Sequence, residues 1–164
     1  MNKIILGIDP GTATTGFGLV EVDEHGNTKY ITCGHIATSK DVPAAERLVT
    51  IKNSLLKLLK QYKPEVVAVE KLFFAKNITT AISVAEARGV ILASCVEHNT
   101  EIIEYTPLQV KQGLTGYGKA DKGQVQRMVK TILNLEDIPK PDDAADALAI
   151  AIRAASETAH QVVK

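Results

Sequence analysis

The chain has 164 residues, of which 45% are apolar and 23% are charged, and its 19 basic residues balance its 19 acids. This composition is typical of a soluble globular protein with one core, so we expect a single domain over residues 1–164 whose last few residues fray. A net charge of zero disfavours general binding of nucleic acid by the whole surface. With no secretory signal and no apolar stretch of membrane-spanning length, we expect a cytoplasmic location and no membrane partner.

The metal-binding residue types cysteine and histidine are sparse and scattered. Cys33 and Cys95 are far apart, and the four histidines form no HxH or HExxH pair. The pattern therefore indicates reduced thiols and gives no support to a zinc site.

An apolar run near the start, Ile4–Ile8, predicts a strand that is buried on both faces. Asp9 ends the strand and Pro10-Gly11 breaks it, since proline lacks an N–H group and glycine accepts a positive φ. A carboxylate in this place either caps its own turn through backbone N–H groups or needs a cation or hydrogen-bond donors around it. This segment alone leaves both interpretations open.

The next segments predict an antiparallel meander followed by a helix. Strands are expected over residues 16–23 and 28–36, with a hairpin turn at residues 24–27. From Pro43 the apolar residues recur at helical spacing, and this helix is predicted to end near Tyr62.

A second short apolar run, Glu65–Glu70, also ends in an acid. A strand that follows a helix after a meander is expected to return parallel to the first strand through a right-handed crossover. Asp9 and Glu70 would then meet at one edge of the sheet, where open α/β sheets place their sites. Two adjacent carboxylates repel each other unless a cation lies between them.

A long helix is predicted over residues 77–99, and it is apolar nearly all round. Such a helix needs cover on more than one side. One side is expected to pack on the sheet, and Ala85 and Gly89 permit close approach of a second subunit on the other. We therefore expect a homodimer through this helix, and a helix wholly buried within the monomer is the alternative.

A fifth strand is predicted over residues 101–105, then a short helix from Pro107 to Leu114 and a helix over residues 122–135. The glycine-rich loop between them follows a helix rather than a strand, which excludes a dinucleotide-binding loop. This region is basic, which indicates a local phosphate-binding face or simply a solvated helix surface. Its cations, against the single acid Asp121, are Lys111, Lys119, Lys122, Arg127 and Lys130.

The last helix is predicted to begin at Asp142, placed as its N-cap. Asp143 and Asp146 are three residues apart and share a helix face. The helix dipole favours acids in the first turn. Asp146 lies one turn further into the helix, among alanines, so its carboxylate needs a cation or a hydrogen-bond donor.

Together, the acids Asp9, Glu70, Asp143 and Asp146 offer only oxygen ligands, which suit Mg²⁺, with Mn²⁺ as a substitute. Four carboxylates exceed the needs of one Mg²⁺ and match two ions roughly 3.5–4 Å apart, as in two-metal phosphoryl transfer. Since the chain has no GxxxxGK[ST] nucleotide loop, a nucleic-acid backbone is the expected substrate.

The motifs over residues 3–152 resemble those of RuvC-type Holliday-junction resolvases in order and spacing. The segments are GIDPGTATTGFG, VVAVEKLFFAKN, EARGV, YTPLQVKQGLTGYGKADKGQVQRMV and PDDAADALAIAI. The resemblance implies an α/β, RNase H-like fold: a five-stranded mixed sheet, made of an antiparallel meander plus two parallel strands, with helices on both faces. It also implies a homodimer that makes paired, symmetric, Mg²⁺-dependent nicks in a four-way DNA junction, leaving 5′-phosphates and 3′-hydroxyls.

The same resemblance assigns roles to individual residues. The catalytic and metal-binding acids would be Asp9, Glu70, Asp143 and Asp146, with Asp143 rather than Asp142 selected by the family motif. Phe73 matches an aromatic residue that stacks on a base, although as a bare sequence feature it also suits a core position. Lys111 and Lys122 match lysines near the scissile phosphate. Further candidates for DNA contact are Lys119 of the basic region and, with packing as the alternative for both, Lys76 and Arg88.

Two departures from the family pattern bear on DNA affinity alone: Lys71 stands where glutamine is frequent, and a long basic tail is missing. A junction branch-migration motor is a further expected partner.

Three alternative functions are an actin- or sugar-kinase-type nucleotide-binding domain, a non-catalytic junction-binding module and a YqgF-type RNA nuclease. The first needs two such domains, the second does not account for four mutually repelling acids, and the third lacks the E-x-x-F and D-A-A-D motifs.

Overall fold

The computed structural model describes residues 2–72 and 78–161 and has a five-stranded sheet at its centre. The strands are β1 (Lys3–Asp9), β2 (Thr14–Val22), β3 (Thr28–Ala37), β4 (Val66–Glu70) and β5 (Glu101–Tyr105). Their order is β3-β2-β1-β4-β5, with β1, β2 and β3 antiparallel and with β4 and β5 parallel to β1. The structure therefore has the predicted mixed sheet, in which the carboxyl ends of β1 and β4 lie side by side.

Helices cover both faces of the sheet. They are α1 (Ala44–Tyr62), α2 (Ile78–Glu97), α3 (Pro107–Thr115), α4 (Lys122–Ile132) and α5 (Asp142–Gln161). Helices α1 and α2 share one apolar core with the sheet, and α3, α4 and α5 share the core on the opposite face. Of the helices in the described ranges, none is both long and apolar enough to cross a membrane.

Several element boundaries differ from those predicted. Strand β2 begins two residues earlier than expected, because Thr14 and Thr15 pair with Ala37 and Ile36 of a longer β3. Helix α4 ends at Ile132 rather than near residue 135, since Asn134 adopts a left-handed φ of 50°.

Helix α2 is buried on one side only. Ala87, Ile91 and Cys95 have no exposed surface, whereas Ile82 and Val96 on the other side are 64% and 66% exposed. The alternative of a helix wholly buried within the monomer is therefore wrong. A face of α2 that contains large apolar residues remains uncovered in the single chain.

Three glycines let α5 lie directly against β1 and β2. Gly7 pairs with Gly18 in the strand register, and Gly16 pairs with Asp9. A Cβ atom on Gly7 would lie 2.1 Å from the carbonyl oxygen of Ala147, so no side chain fits between strand and helix there. This close contact brings the first turns of α5 to the end of β1.

Candidate metal centre

Two acids meet at the carboxyl ends of β1 and β4. Ile8 pairs with Val69 in parallel register, so Asp9 and Glu70 are the next residues of adjacent strands. The two carboxyl groups are close enough that each affects the other's pKa. The chain turns away after Asp9 because Pro10 and Gly11 end the strand, and a Cβ on Gly11 would lie 2.2 Å from the carbonyl oxygen of Thr14.

Helix α5 brings two further acids to this point. One carboxylate oxygen from each of Asp9, Asp143 and Asp146 lies within 4.8 Å of the other two. Glu70 borders this trio, since it follows the strand residue that pairs with Ile8 and interacts with both Asp9 and Asp146. All four acids are only partly exposed, so the cluster lies in a recess rather than on an open surface.

The acids strongly disfavour carrying charge together. Burial, followed by the charges of Glu70, Asp146 and Asp143, raises the pKa of Asp9 to about 8. Burial and the charge of Asp146 raise the pKa of Glu70 to about 7, against the lowering effect of the Asp9 carboxyl group and of Lys111. Burial likewise raises the pKa of Asp146, while Lys122 lowers it. A bound divalent cation would reverse this repulsion, and the donor set of oxygens alone fits such a cation.

Two lysines face the acids across a cleft of about 210 Å³. Lys122, at the start of α4, places its Nζ 3.2 Å from Asp146 Oδ2 and 3.4 Å from Asp142 Oδ2. Lys111 of α3 lines the same cleft and lowers the pKa of Glu70. The remaining lining residues are Pro107, Val110, Val125 and Ala149, which give the cleft an apolar wall.

Asp142 differs from the prediction. It is the first residue of α5 rather than its N-cap, and its carboxylate is engaged by side chains instead of the free backbone N–H groups. Gln126 and Lys140 donate to its Oδ1, and Lys122 lies near its Oδ2. Asp142 is exposed and is not one of the three acids whose oxygens cluster.

Behind Glu70 lies an ion pair that the sequence did not reveal. Arg88 of α2 pairs with Glu104 of β5, and its Nε donates to the backbone carbonyl of Glu70 at 3.3 Å. Of the two interpretations of Arg88, DNA contact or packing, this contact supports packing. One feature of the sequence could have pointed to Glu104: it is an acid near the end of β5. In the parallel register Glu104 pairs with Val69, the residue before Glu70, and so lies close to the end of β4.

The remaining residues predicted to contact DNA are Lys119, Phe73 and Lys76, and the structure does not place Lys119 beside the four acids. Lys119 is exposed in the segment between α3 and α4 and does not line the 210 Å³ cleft. Phe73 and Lys76 lie outside the described residues. A second cleft, of about 650 Å³, is lined by three basic side chains; its full lining consists of Arg127, Lys130, Thr131, Asp137, Ile138 and Lys140.

Comparison with known proteins identifies close similarity over nearly the whole chain. A sequence model of the family described as crossover junction endodeoxyribonuclease RuvC matches residues 5–154. The protein of that description from Caldicellulosiruptor saccharolyticus is 53% identical over 148 residues, covering 90% of this chain and 89% of that protein. The one from Alkaliphilus oremlandii is 54% identical over 149 residues, covering 91% of this chain and 90% of that protein.

Solved structures agree. Thermus thermophilus RuvC matches with a TM-score of 0.90 and 37% identity over 97% of both chains. Thermus thermophilus RuvC in complex with Holliday junction substrate matches with a TM-score of 0.91 and 37% identity, covering 98% of this chain and 97% of that one. The yeast mitochondrial Holliday junction resolvase Ydc2, at 14% identity and a TM-score of 0.63 over 96% of this chain and 85% of that one, shares the fold. The predicted fold class is confirmed.

Proposed function

The chain belongs to the RuvC family of crossover junction endodeoxyribonucleases, and from this membership we propose how its own residues resolve four-way DNA junctions. The proposal rests on one observation, the convergence of Asp9, Asp143 and Asp146 within 4.8 Å, with Glu70 at the adjacent strand end. These are the four acids to which we assign catalysis. The reaction is hydrolysis of a phosphodiester bond that leaves a 5′-phosphate and a 3′-hydroxyl.

The acids would hold the family's metal cofactor, which we propose to be two Mg²⁺ ions, with Mn²⁺ as a substitute. When bound, such ions lower the pKa of the attacking water and offset negative charge on the departing oxygen. The raised pKa values of Asp9 and Glu70 support this assignment, because burial and repulsion between the acids outweigh the positive charge that Lys122 and Lys111 supply. The cleft, which Glu70 and Asp146 help to line, provides space for the ions.

The lysines of the cleft would bind the phosphate. Lys122 and Lys111 lie on the same cleft as Glu70 and Asp146, so a phosphate that approaches the acids passes both ammonium groups. Their positive charge would offset the charge that develops on the phosphoryl oxygens. Lys76 and Lys119 remain proposed contacts to the DNA backbone, and Phe73 a proposed stacking residue.

We propose that two copies of the chain act together, because paired nicks need two acid centres. The exposed side of α2 supports this assembly: it carries Ile82 and Val96, and at Gly89 between them a Cβ would meet no atom within 4 Å beyond the adjacent backbone of its own helix. A second helix can approach closely at such a glycine. Four-way junction DNA is the proposed substrate and a branch-migration motor a further proposed partner, both in the cytoplasm.

The test is cleavage of an end-labelled four-way junction with Mg²⁺, alongside a linear duplex of the same sequence. We expect paired, symmetric nicks in the junction, no nicks in the duplex, and none with the Asp9→Asn variant, which supplies the matched control. Junction binding should weaken as salt rises, because Lys111 and Lys122 displace counterions from phosphates.

Three results would contradict the proposal. Junction binding without nicking, with Mg²⁺, Mn²⁺ and several junction sequences, would favour a module that recognises junction shape. Cleavage of the linear duplex as fast as the junction would remove the structural selectivity. Nicking by Asp9→Asn at the wild-type rate would move catalysis to other residues.

A further inference from the structure

Asp142 stands one helical turn before Asp146 on the same face of α5, and Lys122 lies between them. The Lys122 Nζ is 3.2 Å from Asp146 Oδ2 and 3.4 Å from Asp142 Oδ2, so one ammonium group is shared by two carboxylates. Asp146 belongs to the acid trio, whereas Asp142 does not. A lysine bound to Asp146 alone would compete with any cation for that carboxylate.

The two oxygens of Asp142 have separate partners. Its Oδ1 receives Lys140 Nζ at 3.2 Å and Gln126 Nε2 at 3.3 Å, and its Oδ2 is left to face Lys122. Gln126 comes from α4 and Lys140 from the segment that precedes α5, so both flanks of the carboxylate are held. With Oδ1 engaged by these two donors, Oδ2 is the oxygen that is available to Lys122.

From this geometry we propose that Asp142 is a positioning residue that holds Lys122 away from Asp146, which keeps Asp146 free to bind a divalent cation. The inference rests on the proposed metal site and extends it to a residue outside the acid trio. When a cation binds Asp146, Lys122 keeps one carboxylate partner at 3.4 Å and stays beside the cleft. Asp142 itself then needs no contact with the cation.

The test is a double-mutant cycle on Mn²⁺ binding, measured by calorimetry with the protein alone. We expect Asp142→Asn to weaken Mn²⁺ binding about three- to fivefold, in the range of an exposed ion pair, because Lys122 then turns wholly to Asp146. We expect Lys122→Gln to strengthen Mn²⁺ binding, because it removes the competing cation. In the Lys122→Gln protein, Asp142→Asn should change the affinity by less than about twofold.

The cycle separates positioning from simple loss of a nearby negative charge. If Asp142→Asn weakened Mn²⁺ binding equally with and without Lys122, the effect would be general electrostatics and the proposal would be wrong. Asp137→Asn, which removes an exposed acid beside Lys140, measures that general effect. Absence of Mn²⁺ binding by the wild type would instead refute the metal site itself, and this inference with it.

Two further measurements test whether Asp142 acts by positioning Lys122. Gln126→Ala loosens Asp142 without changing any charge, and it should weaken Mn²⁺ binding in the same direction by a smaller factor. In junction cleavage, Asp142→Asn should raise the Mg²⁺ concentration for half-maximal rate and leave the rate at saturating Mg²⁺ near that of the wild type. A lower rate at saturation with no change in the Mg²⁺ requirement would contradict a positioning role.

Discussion

Gly16 of β2 lies directly against Asp143 of α5, so closely that a Cβ on Gly16 would be 2.0 Å from the Asp143 carbonyl oxygen. Gly16 also pairs with Asp9 in the strand register. One residue without a side chain therefore sets the separation of two acids that come from opposite ends of the chain. The geometry of the acid cluster depends on this contact between backbones.

We predict that Gly16→Ala damages the acid centre. The added methyl group meets main-chain atoms that cannot rotate away, so α5 must shift at its first turn. Such overpacking typically costs about 1–3 kcal/mol of unfolding free energy, and a displacement of about 1 Å can lower catalysis about a hundredfold. Urea unfolding and junction cleavage would measure the two effects.

Gly118→Ala provides the matched control. Its Cβ would lie 2.5 Å from Leu108 Cδ1, at the end of an exposed side chain that can turn aside. We expect this variant to retain the stability and cleavage rate of the wild type. Equal losses in Gly118→Ala and Gly16→Ala would show that the tight contact with Asp143 has no special importance.

Removal of any one of the four assigned acids should abolish nicking and leave junction binding intact or stronger. The variants are Asp9→Asn, Glu70→Gln, Asp143→Asn and Asp146→Asn. Each loses a proposed metal ligand, so the loss should exceed the roughly 10- to 100-fold effect of a change in the outer shell of a metal site. Each also loses a negative charge that repels phosphate. A single variant that nicks at the wild-type rate would end that residue's assignment.

Stability of the metal-free protein should fall as pH rises from about 4 to 8. The pKa values of Asp9 and Glu70, about 8 and about 7, exceed their ordinary values of 3.8 and 4.5, so the folded state holds protons more tightly than the unfolded state. Their contribution is full below the ordinary values and is lost as pH passes the raised ones. Thermal unfolding should show a decrease of about 5 °C or more.

Two controls isolate this effect. Asp9→Asn cannot ionise at the buried position and should flatten the pH dependence. Mg²⁺ binds the deprotonated acids, so the rise in melting temperature that it causes should grow with pH. If the melting temperature of the metal-free wild type fell no more than that of Asp9→Asn between pH 5 and 8, the raised pKa values would be contradicted.

Arg88→Ala should destabilise the protein and disturb Glu70. The change removes the partner of the partly buried Glu104 and the donor to the Glu70 carbonyl, at an expected cost of about 1–3 kcal/mol. Urea unfolding measures the cost, and a higher Mg²⁺ requirement for cleavage reports on Glu70. Because the two side chains form one pair, Arg88→Ala with Glu104→Gln should cost less than the sum of the single changes. Strict additivity would argue against their coupling.

Val96→Glu should produce a folded monomer. Val96 is 66% exposed in the single chain, so the new charge does not disturb the core but would be buried unpaired between two α2 helices. Sedimentation should show loss of the dimer, and junction cleavage should yield single rather than paired nicks. Leu108→Glu, at a 58% exposed residue of α3 on the other side of the sheet, is the control for the oligomeric state. A dimeric Val96→Glu protein would place the interface elsewhere.

Local sequence patterns determined much of the fold. The runs that end in Asp9 and Glu70 have the length and composition of buried strands, and the handedness of the crossover places their ends side by side. The proximity of these two acids was therefore predictable without coordinates. Strand β5, Glu101–Tyr105, also agrees with its prediction.

Predictions were less complete where distant segments pack together. Helical spacing allowed either Asp142 or Asp143 to accompany Asp146, and only the family motif selected Asp143. The strand patterns gave no sign that Gly7, Gly16 and Gly18 admit α5, which only the packed chain shows. Helix α2 is apolar nearly all round in sequence, yet only the packed chain shows that Ile82 and Val96 remain uncovered.

The sequence by itself determined the strands, the helices, the adjacent acids and the family, because these depend on periodicity, turn chemistry and motif order within short stretches. The tertiary structure alone decided that Asp143 and Asp146 reach Asp9, that Asp142 turns to Lys122 and Lys140, and that Arg88 supports Glu70. The physical reason is that these relations depend on how closely two backbones approach and on which charges meet across them. Neither quantity is encoded in a single segment.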